Sequence, residues 1–250
     1  MARYLNQPTL AANFLAPVRT TYDVIGSSID GGRNGVGEDQ SIEMSGGGIV
    51  SATYEDCKIR EKEQYEYINW LGARLNGGFR FINVPIITDW FGPFPIIGRL
   101  PTPIVSGIPH SDGSYFDDGS GYSQATVWGT VTEDATLNSG TLKMRVYGLS
   151  RPLRWSDWFS IYHATAKGWR AYRYWDVLAS SLGFDAELGM DYQDYTLALA
   201  PPLREAVAMG TRIEFARPRF VAKFRQDFTL PSVVEAFFVT QQTIQFSEAF

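Results

Sequence analysis

Cysteine and histidine are scarce in this sequence, which has one cysteine and two histidines in 250 residues. A single cysteine excludes an intramolecular disulfide framework, and we interpret Cys57 as a packed, inert thiol rather than a nucleophile. His110 and His163 belong to no His-Glu-x-x-His motif, and the sequence has no Gly-x-Ser-x-Gly motif. We therefore expect a protein that is not an enzyme and holds no metal or other cofactor, although a triad assembled from distant segments stays open.

Positive charge and long apolar runs are also in short supply. The chain has 22 Lys and Arg residues against 27 Asp and Glu residues, so no basic face is expected to bind nucleic-acid phosphates. No segment approaches the roughly 20 apolar residues of a membrane-spanning helix, and the first residues lack the apolar core of a signal peptide. We expect a protein that is made and assembled in the cytoplasm and has no membrane partner.

Aromatic residues, by contrast, are abundant at 14% of the chain, which is typical of an ordered globular protein. Within the last stretch, residues 195–250, apolar and charged side chains alternate with a period of two over residues 211–216 and 220–225. Residues 233–240 and 243–250 follow as a closing pair. We predict antiparallel strands here and expect the C-terminal residues to join a sheet or to press against a neighbouring subunit.

The N-terminal third predicts an arm, a helix and a strand. Residues 1–28 are predicted to be extended because Pro8 and Pro17 interrupt any long helix. This arm either reaches a neighbouring subunit or folds back on its own domain. Residues 61–75 are predicted to be helical because apolar side chains recur at helical spacing and a Gly-Gly pair follows. A strand over residues 79–84 completes the unit.

Three aromatic residues, Tyr65, Tyr67 and Trp70, fall outside the apolar stripe of this helix. Aromatic side chains supply much of the contact area both in protein interiors and at interfaces. Packing within the chain and contact with another subunit are therefore both open for them.

The middle of the chain begins with a segment, residues 85–109, that holds six of the 13 prolines together with many large apolar residues. Prolines block regular ladders and helices, yet large apolar groups are costly to leave in water. We hypothesise that this segment packs at a subunit or partner interface; a loop pinned to its own domain is the alternative. The apolar residues that we place at this interface are Trp90, Phe91, Phe94, Ile96 and Ile97.

Beyond this segment the sequence predicts a polar loop and then a small β-rich unit. Residues 110–123 carry three aspartates, but their spacing misses the calcium-loop pattern, so we predict a solvated loop. Short alternating segments over residues 125–132, 142–147, 158–163 and 169–177 predict a small antiparallel barrel or sandwich.

The tryptophans of this unit suggest an alternative function. Aromatic rings on strands either fill a core or form a platform on which sugar rings stack. The second arrangement, with carboxylates such as Asp157 and Asp176 nearby, would make the protein a carbohydrate-binding module or a glycoside hydrolase. The residues concerned are Trp128, Trp155, Trp158, Trp169 and Trp175.

The order of these parts resembles the distal tail protein family of long-tailed, siphovirus-like bacteriophages. The resemblance rests on Pro-Pro-Leu-Arg at residues 201–204, Gly-Thr at 210–211, Ile-Glu-Phe at 213–215 and the terminal Ile-Gln-Phe-Ser-Glu-Ala. At the other end it rests on the arm, the helix, the glycine turn and the strand that ends at Val84 and Pro85.

The resemblance implies a mainly β fold with two parts. One is a discontinuous ring-forming domain, residues 1–85 with 195–250, built as an antiparallel β-sandwich of the tail-tube type with one flanking helix. The other, residues 86–194, is an inserted small barrel of the oligonucleotide/oligosaccharide-binding type.

The resemblance also implies a function: a virion protein whose six copies form a ring at the tip of the tail tube. Its partners would be the tail tube protein, the tail hub and the receptor-binding or fibre proteins, and DNA would pass through the lumen without specific binding. Another tube or hub component of a tail remains an alternative. In addition to the five residues of the proline-rich segment, the predicted interface residues are Tyr65, Trp70, Phe237, Phe246 and Phe250.

Overall fold

The computed structural model describes residues 4–43, 46–231 and 240–250, and within them the chain is mainly β. One α-helix, α1 (Lys62–Leu75), is followed by a short 3-10 helix (Asn76–Gly78). The strands are β1 (Arg19–Ile25), β2 (Ser28–Arg33), β3 (Asp39–Glu43), β4 (Ile49–Ile59), β5 (Ile82–Pro85), β6 (Ile96–Ile97), β7 (Leu100–Pro101), β8 (Ile104–Ile108), β9 (Tyr122–Ala125), β10 (Trp128–Val131), β11 (Thr141–Tyr147), β12 (Phe159–His163), β13 (Gly168–Asp185), β14 (Met190–Ala200), β15 (Arg212–Glu214), β16 (Arg219–Phe224) and β17 (Thr240–Glu248).

The two ends of the chain build one antiparallel sheet, with the strand order β1-β4-β17-β16-β5. Strand β4, between β1 and β17, alternates buried and partly exposed residues over most of its length, as expected for a strand with one face in the core. Ile68, Leu71 and Leu75 of α1 are buried in the same core, so the helix covers that face. The prediction of a β-sheet with one flanking helix is confirmed.

Helix α1 begins directly after Glu61, which is its N-cap residue. The side chains of Glu61 and Gln64 form a capping box, in which Oε1 of Gln64 accepts the Glu61 backbone N–H at 3.2 Å. The Nε2 group of Gln64 also donates to the Phe14 carbonyl at 2.8 Å. One side chain therefore both starts the helix and holds the N-terminal arm against it.

The described part of the N-terminal arm, residues 4–28, folds on its own domain. This decides between the two arrangements that the sequence left open, which were contact with a neighbouring subunit and packing on its own domain. Leu10 and Leu15 are buried in the core of the sheet. The arm also extends the sheet beyond β5, since Leu10 N–H donates to the Asn83 carbonyl and Asn83 N–H donates to the Pro8 carbonyl, each at 2.8 Å.

The middle of the chain forms a closed antiparallel barrel, with the strand order β10-β11-β14-β13-β12-β15. Its interior is apolar and includes buried aromatic rings such as Phe159, Tyr172 and Phe215. The predicted small inserted barrel is confirmed. The predicted boundary between residues 194 and 195 falls inside β14, however, and β15 also belongs to the barrel rather than to the sheet. The barrel therefore ends between β15 and β16.

A buried charge cluster joins the barrel to the sheet. Arg170 of β13 donates through Nη1 to Oε1 of Glu248 in β17 at 3.0 Å, and Nη2 of Arg204 lies 3.3 Å from Glu248 Oε2. Arg204 also donates to the carbonyls of Gly46 and Gly48 at the start of β4. All three charged side chains are almost fully buried, so the two parts are held together by hydrogen-bonded ions rather than by apolar contact alone.

Candidate interaction surfaces

An uncovered apolar surface lies on the hairpin formed by β13 and β14. Strand β12 pairs only with the first residues of β13, up to Tyr172, whereas β13 continues to Asp185. Beyond that point β13 pairs with β14 alone, while β14 also pairs with β11 as far as Tyr192, so only residues 184–191 extend past the barrel wall. The apolar residues exposed on the hairpin beyond Tyr172, which we call the distal hairpin, are Leu178, Leu182, Phe184, Leu188 and Met190, and Leu182 is 82% exposed.

A second projecting element is the hairpin of β2 and β3. Each residue of both strands is exposed, including Ile29 and Ile42, which pair directly across the ladder. Val36 at its tip is also exposed. This hairpin follows β1, which pairs within the described residues with β4 only, so one edge of the main sheet carries unpaired backbone groups.

The proline-rich segment divides into an exposed and a buried part. Trp90 is 78% exposed, and Ile96 and Ile97 lie on the small exposed hairpin of β6 and β7. Phe91 is half-buried. Phe94 is only 2% exposed and belongs to the barrel core, so its predicted place at an interface is wrong: the chain itself already covers this ring.

The aromatic residues of α1 serve largely to hold the arm. Tyr67 accepts the Ala11 backbone N–H through its hydroxyl oxygen at 3.0 Å and stacks on Trp70 with ring centroids 5.3 Å apart. Tyr65 is half-buried against the core of the sheet. Of the two helix residues predicted at an interface, Trp70 therefore presents the more accessible surface, since it is 41% exposed.

The C-terminal residues also differ in their surroundings. Phe246 is 1% exposed and lies between Tyr54 and Phe224 in the core of the sheet, which corrects its predicted interface role. Phe250 remains half exposed, with its ring centroid 4.7 Å from the guanidinium carbon of Arg204. Phe237 lies outside the described residues.

The five tryptophans considered as a stacking platform do not lie on one surface. Trp158 is buried, Trp128 stacks on Tyr147, and Trp169 lies beneath the guanidinium of Arg219. Trp155 and Trp175 alone among the five are widely exposed, and both line a cleft of about 500 Å³ between the barrel and the sheet.

The carboxylates named for a glycosidase mechanism are not arranged as a catalytic pair. Asp157 is buried, and its two oxygens accept hydrogen bonds from Nη1 and Nη2 of Arg151, each at 2.8 Å. A carboxylate buried and paired in this way has no access to a substrate. Asp176 is exposed and accepts the Val177 backbone N–H.

Two further ionisable groups are shielded inside the chain. Burial raises the pKa of the Cys57 thiol to about 11, which confirms the interpretation of a packed, unreactive residue. His163 is buried in the barrel, with Nε2 2.7 Å from the Tyr172 hydroxyl oxygen, and burial lowers its pKa to about 4. Neither group is placed to act on a ligand.

The distal hairpin is the part of the surface that sequence reasoning missed, because the strand was predicted to end at Val177. The sequence does carry features of a longer hairpin: residues 178–184 contain no proline, and Gly189 supplies a positive φ of 63° just before β14. Continued alternation is not visible there, because a register shift between Val177 and Ala179 disturbs the period of two.

No protein-family model matches this chain, and no curated protein matches it. In the three described ranges, no helix has the length and apolar character needed to cross a membrane.

Proposed function

We propose that this chain is a structural protein of a bacteriophage tail, a distal tail protein whose six copies form a ring at the tip of the tail tube. The ring would connect the tube to the hub and to the receptor-binding or fibre proteins. The resemblance of the sequence to the distal tail family supplies the identity of the assembly and the number of copies. The geometry of the surface supports the role of a building block.

The observation that carries the proposal is the distal hairpin. Strand β14 is also paired with β11 as far as Tyr192, yet the distal hairpin still bears several large apolar side chains that the chain leaves exposed. Burying each such side chain contributes roughly 1.5–3 kcal/mol, which the isolated chain does not gain. A neighbouring copy that covers the hairpin would recover this free energy.

The distribution of the uncovered surfaces fits a ring with axial neighbours. The distal hairpin extends from the barrel, whereas the β2–β3 hairpin and the unpaired edge of β1 belong to the main sheet. Separate surfaces on the two parts of the chain allow contacts with sister copies and with other proteins at the same time. An edge strand is also a ready acceptor for a strand from a neighbour.

The charge of the chain is compatible with a DNA channel. Its net charge is -5, so a ring of these chains would not hold DNA through its phosphates. DNA would pass through the lumen without specific binding.

The proposal is tested by light scattering on the purified protein and on a double variant, Leu182→Ser with Phe184→Ser. The wild-type protein is expected to have the mass of six chains. The variant is expected to dissociate at least about a hundredfold more readily, because two large apolar contacts are lost. Both residues are exposed, so the melting temperature of the single chain should change little.

Leu137→Ser is the matched control, since Leu137 is an exposed apolar residue on a turn of the barrel away from the distal hairpin. This variant should keep the wild-type mass. A wild-type protein that stays a single chain at every concentration would overturn the proposal.

A further inference from the structure

The cleft that contains Trp155 and Trp175 lies where the barrel meets the end of the main sheet. Gly26 follows β1 and Gly47 precedes β4, and both line the cleft together with Arg173 from β13. Trp155 is 67% exposed and Trp175 is 65% exposed. Among the described residues no other aromatic ring stacks on either indole.

Trp175 is presented by a distortion of its strand. Tyr174 pairs with Leu199 and Asp176 pairs with Ala198, so Trp175 is an additional residue in β13 without a partner in β14. Such β-bulges redirect side chains and occur frequently at barrel rims and beside binding sites. The bulge turns a bulky apolar residue outward directly after Tyr174, which fills the barrel core.

Trp155 is held on a rigid turn. Asp157 accepts the Arg154 backbone N–H at 2.7 Å, and its own N–H donates to the Arg154 carbonyl at 2.8 Å. The two buried hydrogen bonds from Arg151 to Asp157 fix the turn further. The backbone that carries Trp155 is therefore already ordered before a ligand binds.

The polar groups of the cleft have bonding capacity left. The ion pair between Arg173 Nη1 and Asp23 Oδ1 is 3.9 Å long, which is beyond a hydrogen bond. Within the described ranges the Arg173 side chain donates no hydrogen bond to the protein, and it is partly exposed. The Arg173 guanidinium, whose carbon lies 5.2 Å from the centroid of the Trp158 ring, therefore keeps N–H donors for a ligand. It stands beside Asp23, which borders the cleft without lining it and whose Oδ1 already accepts the Val24 backbone N–H at 2.8 Å, so Oδ2 is the oxygen left to accept.

From this combination we infer that the cleft binds a neutral saccharide. The apolar face of a pyranose ring packs on an indole, and its hydroxyl groups both donate and accept hydrogen bonds. Arg173 supplies donors and Asp23 supplies an acceptor for such hydroxyls. An anionic ligand is disfavoured because Asp23 already balances the one charged residue that lines the cleft.

A proline-rich peptide is the nearest competitor for an aromatic cleft. Its prolines offer carbonyl acceptors but no N–H donors, so Asp23 would receive no hydrogen bond from them. The arrangement of charges thus favours hydroxyl-rich ligands. This inference does not depend on the proposed ring, because all residues of the cleft belong to one chain.

The test begins with the full-length protein on an array of neutral oligosaccharides that includes glucose, galactose, mannose, rhamnose and N-acetylglucosamine oligomers. The glycan retained most strongly is then titrated by calorimetry, with affinity expressed per subunit. Trp155→Ala and Trp175→Ala should each weaken binding at least tenfold, and Arg173→Met at least fivefold. Trp90→Ala is the control, since Trp90 is exposed but does not line the cleft, and it should stay within twofold of wild type.

Melting temperatures of the variants should remain close to that of the wild-type protein, because the two indoles are exposed. The inference is overturned if the array retains no neutral glycan or if binding survives both tryptophan changes. It is also overturned if a peptide of residues 93–109 of this chain binds the cleft in place of a glycan. Light scattering on the same samples reports the oligomeric mass separately, so failure of this site and failure of the ring are distinguishable.

Discussion

The imidazole of His163 shows how burial sets the chemistry of single residues in this chain. Loss of hydration disfavours its charged form and lowers its pKa to about 4; the negative charge of Glu205 partly opposes this, and the positive charge of Arg170 adds to it. An unfolded histidine titrates near 6.5. Between these two pH values the unfolded chain binds a proton that the folded chain does not. The free energy of unfolding is therefore retained above about pH 6.5 and falls as the pH decreases towards 4.

Replacing His163 with Gln should remove this part of the pH dependence. Between pH 7 and pH 5 the wild-type protein should lose roughly 2 kcal/mol of stability through His163, and H163Q should lose that much less. Urea denaturation at the two pH values measures the difference. H110Q is the matched control, because His110 is not buried, and it should follow the wild-type protein. Equal pH dependence in H163Q and wild type would contradict the buried, neutral state.

The carboxylate of Glu248 is the second residue on which the fold depends. It accepts hydrogen bonds from Arg170, Arg204 and the Val50 backbone N–H, all in a buried position. Glu248→Gln would leave two buried guanidinium groups without their counter-ion, at a cost of about 3–5 kcal/mol in the free energy of unfolding.

Urea denaturation of E248Q provides the measurement, and Glu133→Gln provides the control. Glu133 pairs with Lys143 at 2.7 Å on the surface, where such pairs contribute about 1 kcal/mol or less. If E248Q and Glu133→Gln lowered the free energy of unfolding by the same small amount, the buried cluster would not hold the barrel to the sheet.

At the scale of elements, the proline-rich segment contains two neighbouring aromatic residues with opposite roles. Trp90→Ser should leave the melting temperature nearly unchanged, because the side chain is exposed, but should lower the oligomeric mass if the segment lies at an interface. Phe94→Ser should reduce stability by about 3–5 kcal/mol, because the ring fills the barrel core.

Thermal melting and light scattering on both variants separate these effects. A W90S protein that keeps the wild-type mass would rule out the predicted interface role of this residue. An F94S protein as stable as wild type would contradict its place in the core.

Local sequence patterns predicted the elements whose signals are short-range. Helix α1 was predicted from its apolar spacing and the glycines after it, and the structure places it at Lys62–Leu75. The alternation in residues 220–225 likewise marks β16. These signals depend on residues three or four positions apart in a helix and two positions apart in a strand. They can therefore be recognised in the sequence before the fold is known.

The assignment of strands to sheets depends on long-range pairing and was less accessible. Residues 211–216 alternate in the same way whether they join the sheet or the barrel, and pairing with β10 and β12 decides for the barrel. The bulges in β13 broke the period of two, which hid the distal hairpin. In the same way, the exposed positions of Trp155 and Trp175 follow from a turn and a bulge that the pattern of tryptophans does not encode.

At the scale of the whole molecule, the chain has two well-covered cores and several uncovered apolar surfaces. The sheet and the barrel each bury a continuous apolar cluster, and Glu248 with its two arginines joins them. Many of the uncovered side chains lie on projecting hairpins, as the distal hairpin shows, and others, such as Trp70 and Phe250, lie elsewhere on the surface. This division is what a subunit needs if it must fold first and assemble afterwards.

The most direct test of the account is electron microscopy of the purified wild-type protein in negative stain, with class averages viewed down the particle axis. The account predicts rings of six subunits with an open centre and a mass of about 168 kDa, six times the 28.0 kDa of one chain. Fields of single 28.0 kDa particles at every concentration, without rings, would contradict it.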